Sequence, residues 1–120
     1  MKNIVLLVRY TTKSGMRGKF VEAVMASGIL DQIRKEKGCM SYNYYDDAED
    51  PDKLLLVEEW ESEEDQQKHL QMPYMEMLKQ IKEKEVFKLF TKFKYFSRYL
   101  IKVITNVLRT PIPYKMRVFR

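Results

Sequence analysis

The chain has one cysteine, one histidine, one tryptophan, four glycines and four prolines in 120 residues. A lone Cys39 cannot close an internal disulfide, so nothing argues for an oxidising compartment, and a reducing cytoplasm is the expectation. The apolar run Ile4 to Val8 ends at Arg9, which makes it shorter than a signal-peptide core. No C-terminal window is apolar enough to span a membrane, because Lys88, Lys92, Lys94, Arg98 and Lys102 interrupt every stretch of about 20 residues. Glycine-rich phosphate loops, CxxC pairs and HExxH are all missing, and the acidic run Glu61 to Asp65 lacks calcium-loop spacing. No cofactor and no metal are therefore expected.

A further absence divides the chain. Residues 1–86 carry 13 Lys+Arg and all 17 Asp+Glu, a balance of −4, whereas residues 87–120 carry 9 Lys+Arg and no acid, a balance of +9. The overall charge of +5 thus belongs to the C-terminal segment. Hydrophobic residues at 45% exclude a disordered chain, and the length suits one domain with an appendage. The expected division is a domain over residues 1–96 and a basic amphipathic extension over 97–120. Two readings of the extension compete. In one, residues 97–110 lie on an anionic membrane surface, peripheral to it. In the other, the segment is a non-native end from a shifted reading frame. Clustered cations with aromatics also suit nucleic acid, but no recognisable motif supports it, and no nucleic-acid partner is expected.

What is present reads as alternating strands and helices. Residues 2–11 are apolar and β-branched, with a turn at Lys13 to Gly15. Helical spacing from Met16 through Phe20, Val24, Leu30 and Ile33 predicts a helix closed by Gly38, with a kink at Gly28. Cys39 to Asp46 alternates as a second strand with Met40, Tyr42 and Tyr44 on one face. A turn around Pro51 leads into Leu54 to Trp60, where Leu54, Leu56, Glu58 and Trp60 share a face. Ser62 followed by three acids is a helix start. Pro73 interrupts that helix, and the spacing resumes at Tyr74, Met75, Leu78 and Ile81. Residues 89–96 fit a fourth strand, although Phe90, Phe93, Ser97, Leu100 and Ile104 also fit a helix. The strand reading is preferred, since it supplies the sheet with a pairing partner. The order strand, helix, strand, strand, helix, strand is the split βαβ pattern of ferredoxin-like α+β folds.

VLLVRYTTKSGM, EKGCMSYNYY, LLLVEEW with ESEE, and KHLQMPY together resemble the antibiotic biosynthesis monooxygenase family, in particular its small quinol monooxygenases. The most specific parts are Gly38 ahead of the second strand, Glu58-x-Trp60, His69 and Pro73. The resemblance implies a ferredoxin-like subunit that pairs through its sheet into a dimeric α/β barrel, with a pocket between sheet and helices. It also implies oxygen chemistry without metal or flavin on a quinol or similar phenolic molecule. Such a substrate, once deprotonated, is electron-rich enough to reduce O₂ itself, so the protein need only bind, deprotonate and shield it.

On this basis His69 is the candidate base, Trp60 an aromatic wall and Glu58 an orienting carboxylate, with Tyr42, Tyr44, Leu56, Met72, Tyr74 and Met75 around the pocket. The plainer alternatives stay open: a histidine that decorates a helix, a tryptophan that plugs the core, a Glu58 paired with Arg9 or Lys53, and tyrosines and methionines that simply pack. Haem-degrading relatives carry an asparagine where this chain has Val8, and polyketide-oxidising relatives carry one where it has Leu56, which argues against both reactions. The alternative function is a dimeric small-molecule binding or stress-response module of the same fold without turnover.

Overall fold

The first strand, β1 (Ile4–Thr12), is buried on Ile4, Leu6, Val8 and Tyr10 while Arg9 is exposed, the two-residue period expected of a strand with one face on a core. A computed structural model describes residues 3–95 and 116–118, with side chains for 3–84. The elements that follow β1 are α1 (Arg17–Ala26), α2 (Ile29–Arg34), β2 (Cys39–Asp47), β3 (Lys53–Trp60), α3 (Glu63–Leu70), α4 (Met75–Glu85), β4 (Val86–Tyr95) and β5 (Met116–Val118). The sheet order is β4-β1-β3-β2-β5, and every neighbouring pair is antiparallel. The four strands in order 4-1-3-2 with their intervening helices form the ferredoxin-like α+β arrangement.

The single helix expected from Met16 to Gly38 is two. Gly28 adopts φ +76°, a left-handed conformation that ends α1 and starts α2. Ser27 stabilises the corner, since its hydroxyl donates to the Val24 carbonyl at 2.6 Å and accepts from the Ile29 N–H at 3.2 Å. The fourth strand forms as the pairing argument predicts, and it begins at Val86 rather than Leu89 because α4 runs directly into it. It pairs with β1 from Val5↔Tyr95 to Thr12↔Val86. Phe96 and the extension 97–110 lie outside the described residues.

The main core lies between the sheet and the helices. Ile4, Leu6, Val8 and Tyr10 of β1, Phe20, Val21 and Val24 of α1, Ile29, Leu30 and Ile33 of α2, and Leu78 of α4 enclose it. Val5, Tyr45, Leu55 and Val57, with Leu7 packed against them, make a smaller cluster on the opposite sheet face. One expected face is corrected. Met40 does not join Tyr42 and Tyr44 inside but stands 40% exposed. The β2–β3 register shifts between Cys39 and Ser41, and this irregularity turns the start of β2 outward.

Candidate functional site

Register brings the candidate residues together. In the central pairings Tyr42 lies opposite Glu58 and Tyr44 opposite Leu56, while Trp60 pairs with Ile4 on one side and Cys39 on the other. Alternation then sends Leu56, Glu58 and Trp60 to the helix-covered face, all at 5% exposure or less. The Trp60 indole Nε1 donates to Glu58 Oε1 at 3.0 Å, so this carboxylate orients the indole.

α3 delivers the histidine. Its start is as expected: the Ser62 hydroxyl accepts from the Asp65 N–H at 3.1 Å, and Glu63, Glu64 and Asp65 occupy the first turn. His69 sits in the last turn and is 1% exposed. Its ring lies 4.8 Å from the Trp60 ring, tilted by 36°, and 5.7 Å from Tyr42 in an edge contact. Tyr42 continues edge-on to Tyr44 at 6.1 Å, and Tyr44 reaches Tyr10 at 6.3 Å.

His69 Nδ1 lies 2.9 Å from Glu36 Oε2, across 33 residues of sequence. The Tyr74 hydroxyl donates to the same oxygen. The His69 and Glu36 side chains are 1% and 4% exposed, so the pair is sealed from water. Sequence reasoning did not single out Glu36. It lies in a charged run, KEKG, that reads as a solvated helix end, and its only distinguishing mark was its place two residues before Gly38. Tyr74, expected at a pocket rim, is half-buried and holds this carboxylate. Met75 packs on the core edge beside Tyr74. Met72 takes part through its backbone, accepting from the Met75 N–H at 3.0 Å and donating to the His69 carbonyl at 3.1 Å.

Gly38 locks the turn that carries Glu36 onto the turn that starts α3. Its carbonyl accepts from the Glu61 N–H at 2.8 Å. Its φ is +84°, and a Cβ there would fall 2.2 Å from Asp65 Oδ2. Asp65 and His69 are one helical turn apart, so the α2–β2 turn holds α3 at two points on one face.

The surroundings favour neutral phenols. Burial first, then the charges of neighbouring Tyr44 and Glu58, raises the Tyr10 and Tyr42 hydroxyls well above the usual tyrosine value. Tyr44 is raised by burial and then by Glu58. Tyr74 is raised by burial and then by its hydrogen bond to Glu36. Burial and Glu36 push the Cys39 thiol up to about 11. A group whose folded pKa exceeds its unfolded value contributes stability that is complete below the unfolded value and is lost as pH rises toward the folded one. The melting temperature is therefore expected to hold to about pH 9 and fall above about pH 10, where unfolded tyrosines ionise. Tyr42→Phe should flatten the fall, and a melting temperature constant to pH 11.5 would contradict this account.

Among the described residues no group of three or more His, Cys, Asp or Glu side chains could hold a metal ion. An open depression of about 640 Å³ lies at the far end of the β2–β3 hairpin, lined by Arg9, Asp47, Glu49, Asp50, Pro51 and Lys53. It includes none of the candidate residues, so the chemistry described above does not belong to it.

A small antiparallel sheet with helices on one face, and a histidine, tryptophan and carboxylate converging beneath them, defines a ferredoxin-like α+β domain. A model of the antibiotic biosynthesis monooxygenase family matches residues 3–81, and the chain belongs to that family. No curated protein matches the sequence. A structure from Nitrosomonas europaea, provisionally named an antibiotic biosynthesis monooxygenase, is similar at TM-score 0.73 and 19% identity, covering 82% of this chain and 92% of that one. PA3566 from Pseudomonas aeruginosa is similar at TM-score 0.71 and 15% identity, with 81% and 95% covered. A conserved protein from Methanosarcina mazei Go1 gives TM-score 0.71 at 20% identity, with 82% and 95% covered. At these identities the likeness is one of fold.

Proposed function

We propose that the protein is a cofactor-independent monooxygenase that oxidises a quinol or similar phenolic molecule with O₂. The observation that supports this most is the buried His69, anchored on Glu36 and lying against Trp60, in a chain of this family. His69 takes the phenolic proton, and the resulting anion reduces O₂ directly. Hydroquinone and O₂ then yield the hydroxyquinone and water, with one oxygen atom in each product. Trp60 supplies a flat apolar surface for an aromatic ring, and Glu58 holds the indole in place. O₂ consumption with a reduced naphthoquinone in metal-free buffer tests the proposal. His69→Ala is expected to lower the rate by about 10²- to 10⁴-fold, the usual worth of a positioned base. A wild-type rate no higher than autoxidation would remove the quinol assignment, and an unchanged rate in His69→Ala would remove the base.

The second reading is a binding or stress-response module of the same fold without turnover. Trp60 at 0% and His69 at 1% exposure are compatible with it, since side chains that fill the core need no catalytic role. A phenolic ligand that raises the melting temperature and is recovered chemically unchanged after aerobic incubation would decide for it.

The homodimer belongs to the proposal through the family's sheet pairing. Val5, Tyr45, Leu55 and Val57 give the face turned away from the helices an apolar cluster, the kind of surface such a pairing would use. Among the described residues no helix is long and apolar enough to cross a membrane. A cytoplasmic protein, peripheral at an anionic surface through residues 97–110, is the accompanying proposal. Co-sedimentation of the full chain with anionic but not neutral vesicles would support it.

A further inference from the structure

The proposed base is held by a carboxylate that the reaction itself does not require. Glu36 leaves the C-terminal end of α2 and reaches α3, where its Oε2 meets His69 Nδ1 at 2.9 Å. A carboxylate only accepts, so at this contact Nδ1 must carry the proton. In a neutral imidazole the other nitrogen, Nε2, then has the free lone pair. The same oxygen accepts from the Tyr74 hydroxyl, which arrives from the segment between α3 and α4. Two donors from different elements therefore converge on one oxygen of a carboxylate that is 4% exposed. Among the described residues the ring also makes aromatic contacts to Trp60 and Tyr42, and neither fixes a tautomer.

We propose that Glu36 is the positioning residue of the site: by accepting from Nδ1 it selects the imidazole tautomer whose Nε2 is the base, while Tyr74 holds the carboxylate in place. The assignment rests on the function proposed for His69, but its central claim concerns the ring and can be tested without substrate.

The chain has a single histidine, so the imidazole nitrogen spectrum contains one ring and needs no assignment. In the full-length ¹⁵N-labelled protein, at a pH where the spectrum shows the ring neutral, Nδ1 is expected to be protonated and Nε2 bare. Glu36→Gln keeps an accepting oxygen and should retain that pattern. Glu36→Ala should let the two nitrogens average toward the mixture of a free imidazole. Tyr74→Phe should keep the tautomer, since Glu36 remains. An Nε2 that is protonated in the wild type would overturn the proposal, as would a ring pattern unchanged in Glu36→Ala. Should Glu36→Ala fail to fold, the wild-type and Glu36→Gln spectra still decide the matter. If quinol turnover is confirmed, Glu36→Ala should lower kcat by about tenfold with KM within about twofold, and Glu36→Gln should recover most of the loss. Absence of turnover in the wild type would remove the function while leaving the tautomer result intact.

Discussion

Trp60→Ala is expected to lower the free energy of unfolding by about 3–5 kcal/mol, the range for deleting a large buried aromatic side chain. Trp60 is 0% exposed and sits at the meeting point of β1, β2 and α3, paired with Ile4 and Cys39 and packed on His69. Its loss leaves a cavity under the histidine and takes a donor from Glu58, a 5% exposed carboxylate. Because small domains are stable by only about 5–15 kcal/mol, this variant should unfold at markedly lower urea. Trp60→Phe separates the two contributions. It keeps much of the apolar volume and removes the hydrogen bond, so a smaller cost of about 1–3 kcal/mol is expected. Urea unfolding followed by circular dichroism gives both numbers. A Trp60→Ala cost below about 1 kcal/mol would mean that the ring lines an open, collapsible pocket and is not a core member.

Gly38→Ala is expected to be comparably damaging despite adding one methyl group. A left-handed backbone costs a non-glycine residue about 1–2 kcal/mol, and Gly38 has φ +84°. The new Cβ would also lie 2.2 Å from Asp65 Oδ2, 2.5 Å from its Cγ and 2.6 Å from its Cβ. Truncating the neighbour does not relieve this, because Asp65→Ala leaves the Cβ in place. The double variant should therefore recover little, and the α3 backbone has to move. Moving α3 displaces His69, one turn beyond Asp65, from Glu36. The expected total is about 2–4 kcal/mol, accompanied by loss of the His69 tautomer signature. Near-wild-type stability of Gly38→Ala would show that the two turns are not locked together. Full rescue by Asp65→Ala would show that only the carboxylate tip matters.

Much of this site is short-range in origin. Leu54, Leu56, Glu58 and Trp60 share a face because a strand alternates, and the pairing of Glu58 with Trp60 is a contact between residues two apart. Ser62 and the acids after it start a helix wherever they occur, and Pro73 ends one. Gly28 was legible as a weak point, but whether it bends a helix or divides it depends on a φ value that packing selects. Met40 was misplaced because a bulge is a property of two strands together, and β2 alone carries no sign of it.

The sequence by itself determined the order of the first four strands and the helices between them, and the inward faces of β1 and β3, because alternation, capping and proline act within a few residues. The tertiary structure alone decided what His69 contacts. Its partner Glu36 is 33 residues away, and Tyr74 meets Glu36 across 38. Only the docking of α3 onto the turn at Gly38 brings those three side chains together. In sequence, Glu36 was one charge among several at a helix end. Once folded, it is a carboxylate removed from water with two donors on one oxygen, and burial is what turns an ordinary surface acid into the group that orients the histidine.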